Sequence, residues 1–287
     1  GSVITPIDQG QFYQGTPDEC WNKEDLRRST QTDFEEAIPP DIGSPTTPLY
    51  FAIGVHIEPQ QGYMDDRRYR VDRERLTRLA ALVERHGGKL TIQAQSPFTA
   101  KALQLGDPLF TELAAQGHEI ALHFHEDAHI PDADRQPVER WITAFQQEMG
   151  LIERLSGQPV FTWSGGNLYP HVFKAAALAG LRTNINYKNP STQQIDPRFL
   201  VLTPWRPAGA ETVDQRTTHD PNGPIVYVPS GVWPAHCPKA EAFPRPYNYE
   251  AFDYVTVALR NSLNAVVEGK INTFIATLHP GDFLELD

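Results

Sequence analysis

From residue 49 to the C-terminus, short apolar runs alternate with amphipathic stretches. The segments 49–55, 90–95, 118–125, 159–163, 181–187, 225–228 and 273–278 have the length and composition of buried strands. Between them, Val71, Leu76, Leu79, Leu82 and Val83 recur at helical spacing, and Gly87-Gly88 stops that helix. After Pro137, a residue suited to a first helical turn, Val138, Trp141, Ile142, Phe145, Met149, Ile152 and Leu155 mark one face of another helix. Further helices are predicted over 98–105, 108–116, 170–178 (stopped by Gly180) and 249–267. Strand alternating with helix implies a parallel sheet with helices outside it. About seven such units predict an α/β fold, a parallel (β/α) barrel that is seven-stranded and need not close completely. An open doubly wound sheet is the second choice, disfavoured because no Gly-rich phosphate turn follows the first strand. Residues 1–48 are polar and rich in turn formers, with room for one short helix over 21–37. They read as an irregular arm laid over a single domain spanning 49–287.

The predicted strands are apolar until their carboxyl ends and then turn polar. The first ends His56-Ile57-Glu58, the second Gln93-Ala94-Gln95 and the third His123-Phe124-His125. The fourth runs into Trp163-Ser164-Gly165-Gly166-Asn167, the fifth into Asn184-Ile185-Asn186, and the last ends Leu278-His279. Side chains alternate along a strand, so His56 shares a face with Glu58, and His123 with His125. In a parallel barrel these ends converge on the rim where active sites lie.

Histidine density sharpens the picture. Ten histidines in 287 residues would place fewer than one in a twelve-residue window, yet 118–129 holds His118, His123, His125 and His129. His123 and His125 are a same-face strand pair, and His125 and His129 have the spacing of one helical turn. Imidazoles joined by the Glu58 carboxylate would make an open zinc-type site with a position left for water. The bland alternative is a set of histidines capping a strand at a solvated rim. His118, at the opposite end of its strand, reads as structural.

Composition narrows the field. The formal net charge is −11, which argues against a nucleic-acid partner, and no apolar run approaches the roughly 18 residues of a membrane span. Cys20 and Cys237 are too few for a disulfide scaffold, although one bridge would suit an exported protein. The opening Gly1-Ser2 reads as a cloning scar, which leaves secretion undecided. Trp163, Asn167 and Trp233 are candidate substrate contacts, with Trp205 and Tyr187 as further flat faces for a sugar ring. Gly-x-Ser-x-Gly is not present around Ser164, so a serine hydrolase is disfavoured.

At this point the motifs resemble the polysaccharide deacetylase family, also called the NodB-homology or carbohydrate esterase family 4 domain, from about residue 49 onward. Gly117-His118-Glu119-Ile120-Ala121-Leu122-His123 matches its second motif, in which Gly-His-Glu-Ile leads into one metal-binding histidine followed by another four residues on. Counted from Gly117 the pair of positions is His123 and Asp127; counted by His-x3-His it is His125 and His129. Both registers stay open. The first motif is replaced by Val55-His56-Ile57-Glu58-Pro59, which the resemblance reads as Glu58 on the metal and His56 as catalytic base. The third lacks its arginine, the aspartate of the fourth is replaced by Asn184, and the fifth survives as Leu278-His279.

The resemblance implies a metal-dependent hydrolase, with zinc as the expected metal, that removes N- or O-linked acetyl groups from an oligo- or polysaccharide. His56, or as second choice Asp127, would take a proton from water. Backbone N–H groups at Gly165-Gly166 would share the oxyanion charge, and His279 would protonate the leaving group. Two alternatives remain: hydrolysis of a non-sugar carbon–nitrogen bond on the same fold, or a carbohydrate-binding domain without catalysis.

Overall fold

A computed structural model describes residues 47–165, 169, 171–185, 197–232, 255 and 258–283. Seven parallel strands form one sheet: β1 (Leu49–His56), β2 (Leu90–Ala94), β3 (Glu119–His123), β4 (Thr162–Ser164), β5 (Thr183–Ile185), β6 (Val226–Val228) and β7 (Asn272–Leu278). Their order is β6-β5-β4-β3-β2-β1-β7, so every neighbour except the β1–β7 pair is consecutive in sequence. The two outer strands are joined by backbone rather than by a ladder. Thr273 N–H donates to Leu202 O at 2.9 Å and Ile275 N–H to Ser230 O at 3.0 Å, which makes the sheet a nearly closed barrel. The arm expected over 1–48 lies almost wholly outside the described residues, as does the start of the helix expected over 249–267.

The crossovers are helical. α1 (Asp66–Arg85) follows β1, α2 (Phe98–Leu105) and α3 (Leu109–Ala115) follow β2, and the one-turn α4 (Glu126–His129) and long α5 (Val138–Ser156) follow β3. α6 (Val172–Ala179) follows β4, and α7 (Val213–Thr217) precedes β6. Asp65 caps α1 by accepting from the N–H groups of Arg67 and Arg68. Pro137 stands immediately before α5, in extended conformation, rather than inside its first turn.

Two features depart from the apolar pattern. Val71 is exposed, and the buried position beside it in α1 is Asp72. Its carboxylate accepts from Tyr63 Oη at 2.8 Å and pairs with Arg75 at 2.7 Å and Arg68 at 3.2 Å, a partner set that makes burial of a charge tolerable. In α5 the buried face carries Glu148 among Trp141, Ala144, Phe145, Met149 and Ile152.

The main core lies between the barrel's outer surface and the helices. Trp163 of β4 faces that layer, its ring 6.1 Å from Phe145 and 6.4 Å from Phe173. Strand alternation then turns its neighbour Ser164 inward, where Gln93 is also fully buried. Among the described residues, no helix is long and apolar enough to cross a membrane.

Candidate metal centre

The ladders reach past the strand ends, and this aims the site. Ile57 N–H donates to Gln93 O at 2.9 Å, so the extended backbone of β1 continues by one residue. Ile57 is buried on one side, and His56 and Glu58 turn to the other. Likewise Phe124 N–H donates to Ser164 O at 2.9 Å, which buries Phe124 against Phe145 and turns His123 and His125 together into the rim. Gly165, with φ +84°, lets the two chains come this close: a Cβ there would lie 2.1 Å from Phe124 O.

Four imidazoles surround the Glu58 carboxylate. Its Oε2 is 2.8 Å from His125 Nε2, and its Oε1 is 3.4 Å from His123 Nε2 and 3.2 Å from His279 Nε2. The two Nε2 atoms of His123 and His125 are 3.0 Å apart. The His56 ring stacks on His123 at 4.0 Å and meets His279 edge-on at 5.8 Å. Glu58, His123 and His125 bring their ligand atoms within 4.8 Å of one another, and so do His56, Glu58 and His279. The two histidines of this strand end that reach Glu58 thus come one from each register left open by the sequence.

Behind His123 a buried relay sets its tautomer. Ser164 Oγ donates to Gln93 Oε1 at 3.1 Å and lies 2.7 Å from His123 Nδ1. A hydroxyl has one proton; spent on Gln93, it leaves Ser164 to accept from His123 Nδ1–H. The lone pair of His123 Nε2 then faces Glu58, the arrangement in which an imidazole ligates a metal while its other nitrogen is held. Burial pushes the His123 imidazole down to about 4 against the pull of Glu58, which keeps it neutral. For His125, burial lowers the pKa, but Glu58 on one side and Asp127, 3.6 Å from Nδ1, on the other raise it overall. Burial alone would raise the pKa of Glu58; the surrounding imidazoles, with hydrogen bonds from His125 and His279, outweigh it and hold the carboxyl well below the usual range. A carboxylate and a neutral imidazole lone pair, with a second imidazole drawn to the same point, form a donor set that fits a divalent cation.

The remaining candidates divide. His129 stands apart from this group: its Nε2 is 2.8 Å from Gln95 Oε1, and its Nδ1 is 3.6 Å from Glu148. Gln95 Oε1 also accepts from the His125 backbone N–H at 3.1 Å, and Glu148 accepts from Ser96 N–H at 2.7 Å. The expectation for Trp163 needs correction. It is fully buried in the helix layer, its indole N–H donating to Gly165 O, and presents no face to a sugar. Trp205 packs on Phe199 and Tyr227. Asn167, Trp233, Tyr187 and Gly166 lie outside the described residues. His118 is structural, its Nδ1 accepting from Leu90 N–H at the opposite end of β3. Sequence reasoning placed Gln95 among the polar strand ends without giving it a role and missed Glu148, for which a glutamate on the apolar stripe of α5 was the available signal.

The sequence matches no family model and no curated protein. Among solved structures, a protein from Mycobacterium smegmatis assigned as a polysaccharide deacetylase superposes with a TM-score of 0.51 at 13% identity, over 84% of this chain and 79% of that one. The chain has the NodB-like deacetylase fold. Weaker similarities are to a protein from Pseudomonas aeruginosa also assigned as a polysaccharide deacetylase (TM-score 0.49, 15% identity, 81% of this chain and 77% of that one). A further one is to a CE4 family pseudoenzyme from Bacillus anthracis (TM-score 0.42, 12% identity, 83% of this chain). This chain spans 57% of the length of that last protein. On this deacetylase fold, the described site sits where the carboxyl ends of β1, β3 and β7 meet.

Proposed function

We propose that this protein is a metal-dependent hydrolase that removes acetyl groups, N- or O-linked, from a carbohydrate. The observation that carries the reading is the Glu58 carboxylate in reach of Nε2 of both His123 and His125, with His56 and His279 at its flank. Glu58, His123 and His125 hold the cation, with zinc as the expected metal for an open set of two imidazoles and a carboxylate. Such an ion supplies Lewis-acid polarisation of the acyl oxygen and acidifies water.

The chain's own residues do the rest. Ser164 and Gln93 hold His123 in the ligating tautomer. His56, half-buried against His123, accepts the proton of the attacking water. His279 Nε2 carries the proton that passes to the departing sugar amine or alcohol, and its contact with Glu58 orients it for that delivery. His129, with Gln95 and Glu148, supports the backbone of His125 rather than ligating.

Two measurements test this. Metal content of the purified protein should show at least one bound divalent ion. Acetate release from acetylated glycans, run beside small amides, should be abolished by chelator and by His279→Ala. A metal-free protein, or turnover indifferent to chelator, overturns the proposal. Glycan binding without turnover assigns the site to recognition instead.

A further inference from the structure

We propose that His56, Glu58 and His279 form a second divalent-cation site, weaker than the first, whose filling inhibits the enzyme. This rests on the reading above, in which His56 and His279 move protons.

The two donor sets share one carboxylate. Glu58 directs Oε2 at His125, 2.8 Å away, while Oε1 is 3.2 Å from His279 Nε2. Two ligands at about 2.1 Å from a tetrahedral ion stand about 3.4 Å apart, so the His279–Glu58 edge already has ligand spacing. His56 completes the set, with all three ligand atoms within 4.8 Å of one another. Each of the three is only partly buried, and the His279 side chain is 44% exposed, so an ion can reach them from solvent. In the first set, by contrast, His123 is buried.

The order of filling follows from charge. One carboxylate offers a single negative charge to two dications, and adjacent dications repel. The first ion takes the set with the pre-oriented His123 lone pair. A second ion then binds with a diminished share of Glu58. Once there it occupies the lone pair that His56 needs to accept a proton and the Nε2 that His279 needs to deliver one. Excess metal therefore inhibits while the first site stays filled.

Equilibrium dialysis of the chelator-stripped full chain against Zn²⁺, with metal counted by mass spectrometry, should give two equivalents, the second at least tenfold weaker. His56→Gln and His279→Gln should each keep the tight equivalent and lose the weak one. In the wild type, acetate release should rise with the first equivalent and fall as the second binds. A count that stops at one overturns this inference and leaves the proposed hydrolase standing. A second equivalent that survives in both variants overturns it too, because the ion is then elsewhere. A count of zero overturns both proposals. The wild-type count stands whether or not either variant folds.

Discussion

Ser164→Ala removes one oxygen from the interior of the barrel and should be felt twice. The hydroxyl lies between His123 Nδ1 at 2.7 Å and Gln93 Oε1 at 3.1 Å, and it is fully buried. Gln93 Nε2 has no partner among the described residues, so that amide depends on Ser164 for its hydrogen bonding. Losing the hydroxyl orphans two buried groups, each costing roughly 1–3 kcal/mol. A destabilisation of about 2–6 kcal/mol is expected, read as a lower urea midpoint with chelator present. His123 also loses the partner that fixes its proton on Nδ1. Outer-shell losses of this kind weaken metal binding by roughly 10–100-fold, which calorimetric titration with Zn²⁺ would measure. The double variant with Gln93→Leu should recover part of the stability, because it removes one orphan, but none of the metal affinity. A Ser164→Ala protein with an unchanged urea midpoint and unchanged Zn²⁺ affinity would refute the tautomer relay.

Other perturbations probe different links. Metal uptake should release protons near neutral pH, because Glu58 and Asp127 hold the pKa of His125 above that of an ordinary imidazole; Zn²⁺ affinity should rise with pH until that proton is gone, and titrations in buffers of different ionisation enthalpy report the count. Gly165→Ala should destabilise by several times the roughly 1 kcal/mol of a typical substitution, since its Cβ would meet Phe124 O at 2.1 Å; thermal unfolding reads this. For Asp107, burial opposes ionisation, but Arg73 at 2.7 Å and the Leu109 N–H hold its pKa below the usual value. A depressed folded-state pKa contributes stability above the unfolded value of about 3.9 and loses it as pH falls through the folded value. Asp107→Asn should therefore cost about 1–2 kcal/mol at neutral pH and flatten the acid limb of a stability–pH curve. Glu148→Ala should lower stability by about 2 kcal/mol by stranding the Ser96 N–H, and should weaken Zn²⁺ binding less than Ser164→Ala does.

Local pattern was enough for the barrel. Period-two and period-3.6 apolar spacing each report which side of an element meets the core, and in a parallel barrel of short crossovers that information nearly fixes the topology. The polar strand ends were legible for the same reason: His56 with Glu58, and His123 with His125, are same-face pairs by alternation alone. What alternation cannot supply is the third dimension. That His123 and His125 both reach Glu58, while His129 turns to Gln95 and Glu148, depends on Phe124 being pinned to β4, and Gly165 permits that approach. Trp163 looked like a rim aromatic because it stands at a strand end, yet one residue of register turns it to the helices and Ser164 to His123. Glu148 and Gln95 lie far apart in sequence and serve the site only because α5 packs beneath the β2 and β3 loops. The sequence by itself determined which side chains could reach the rim; the packing of neighbouring strands decided which of them meet at Glu58, because hydrogen-bond distances depend on how separate elements are held together, and no single element's periodicity contains that.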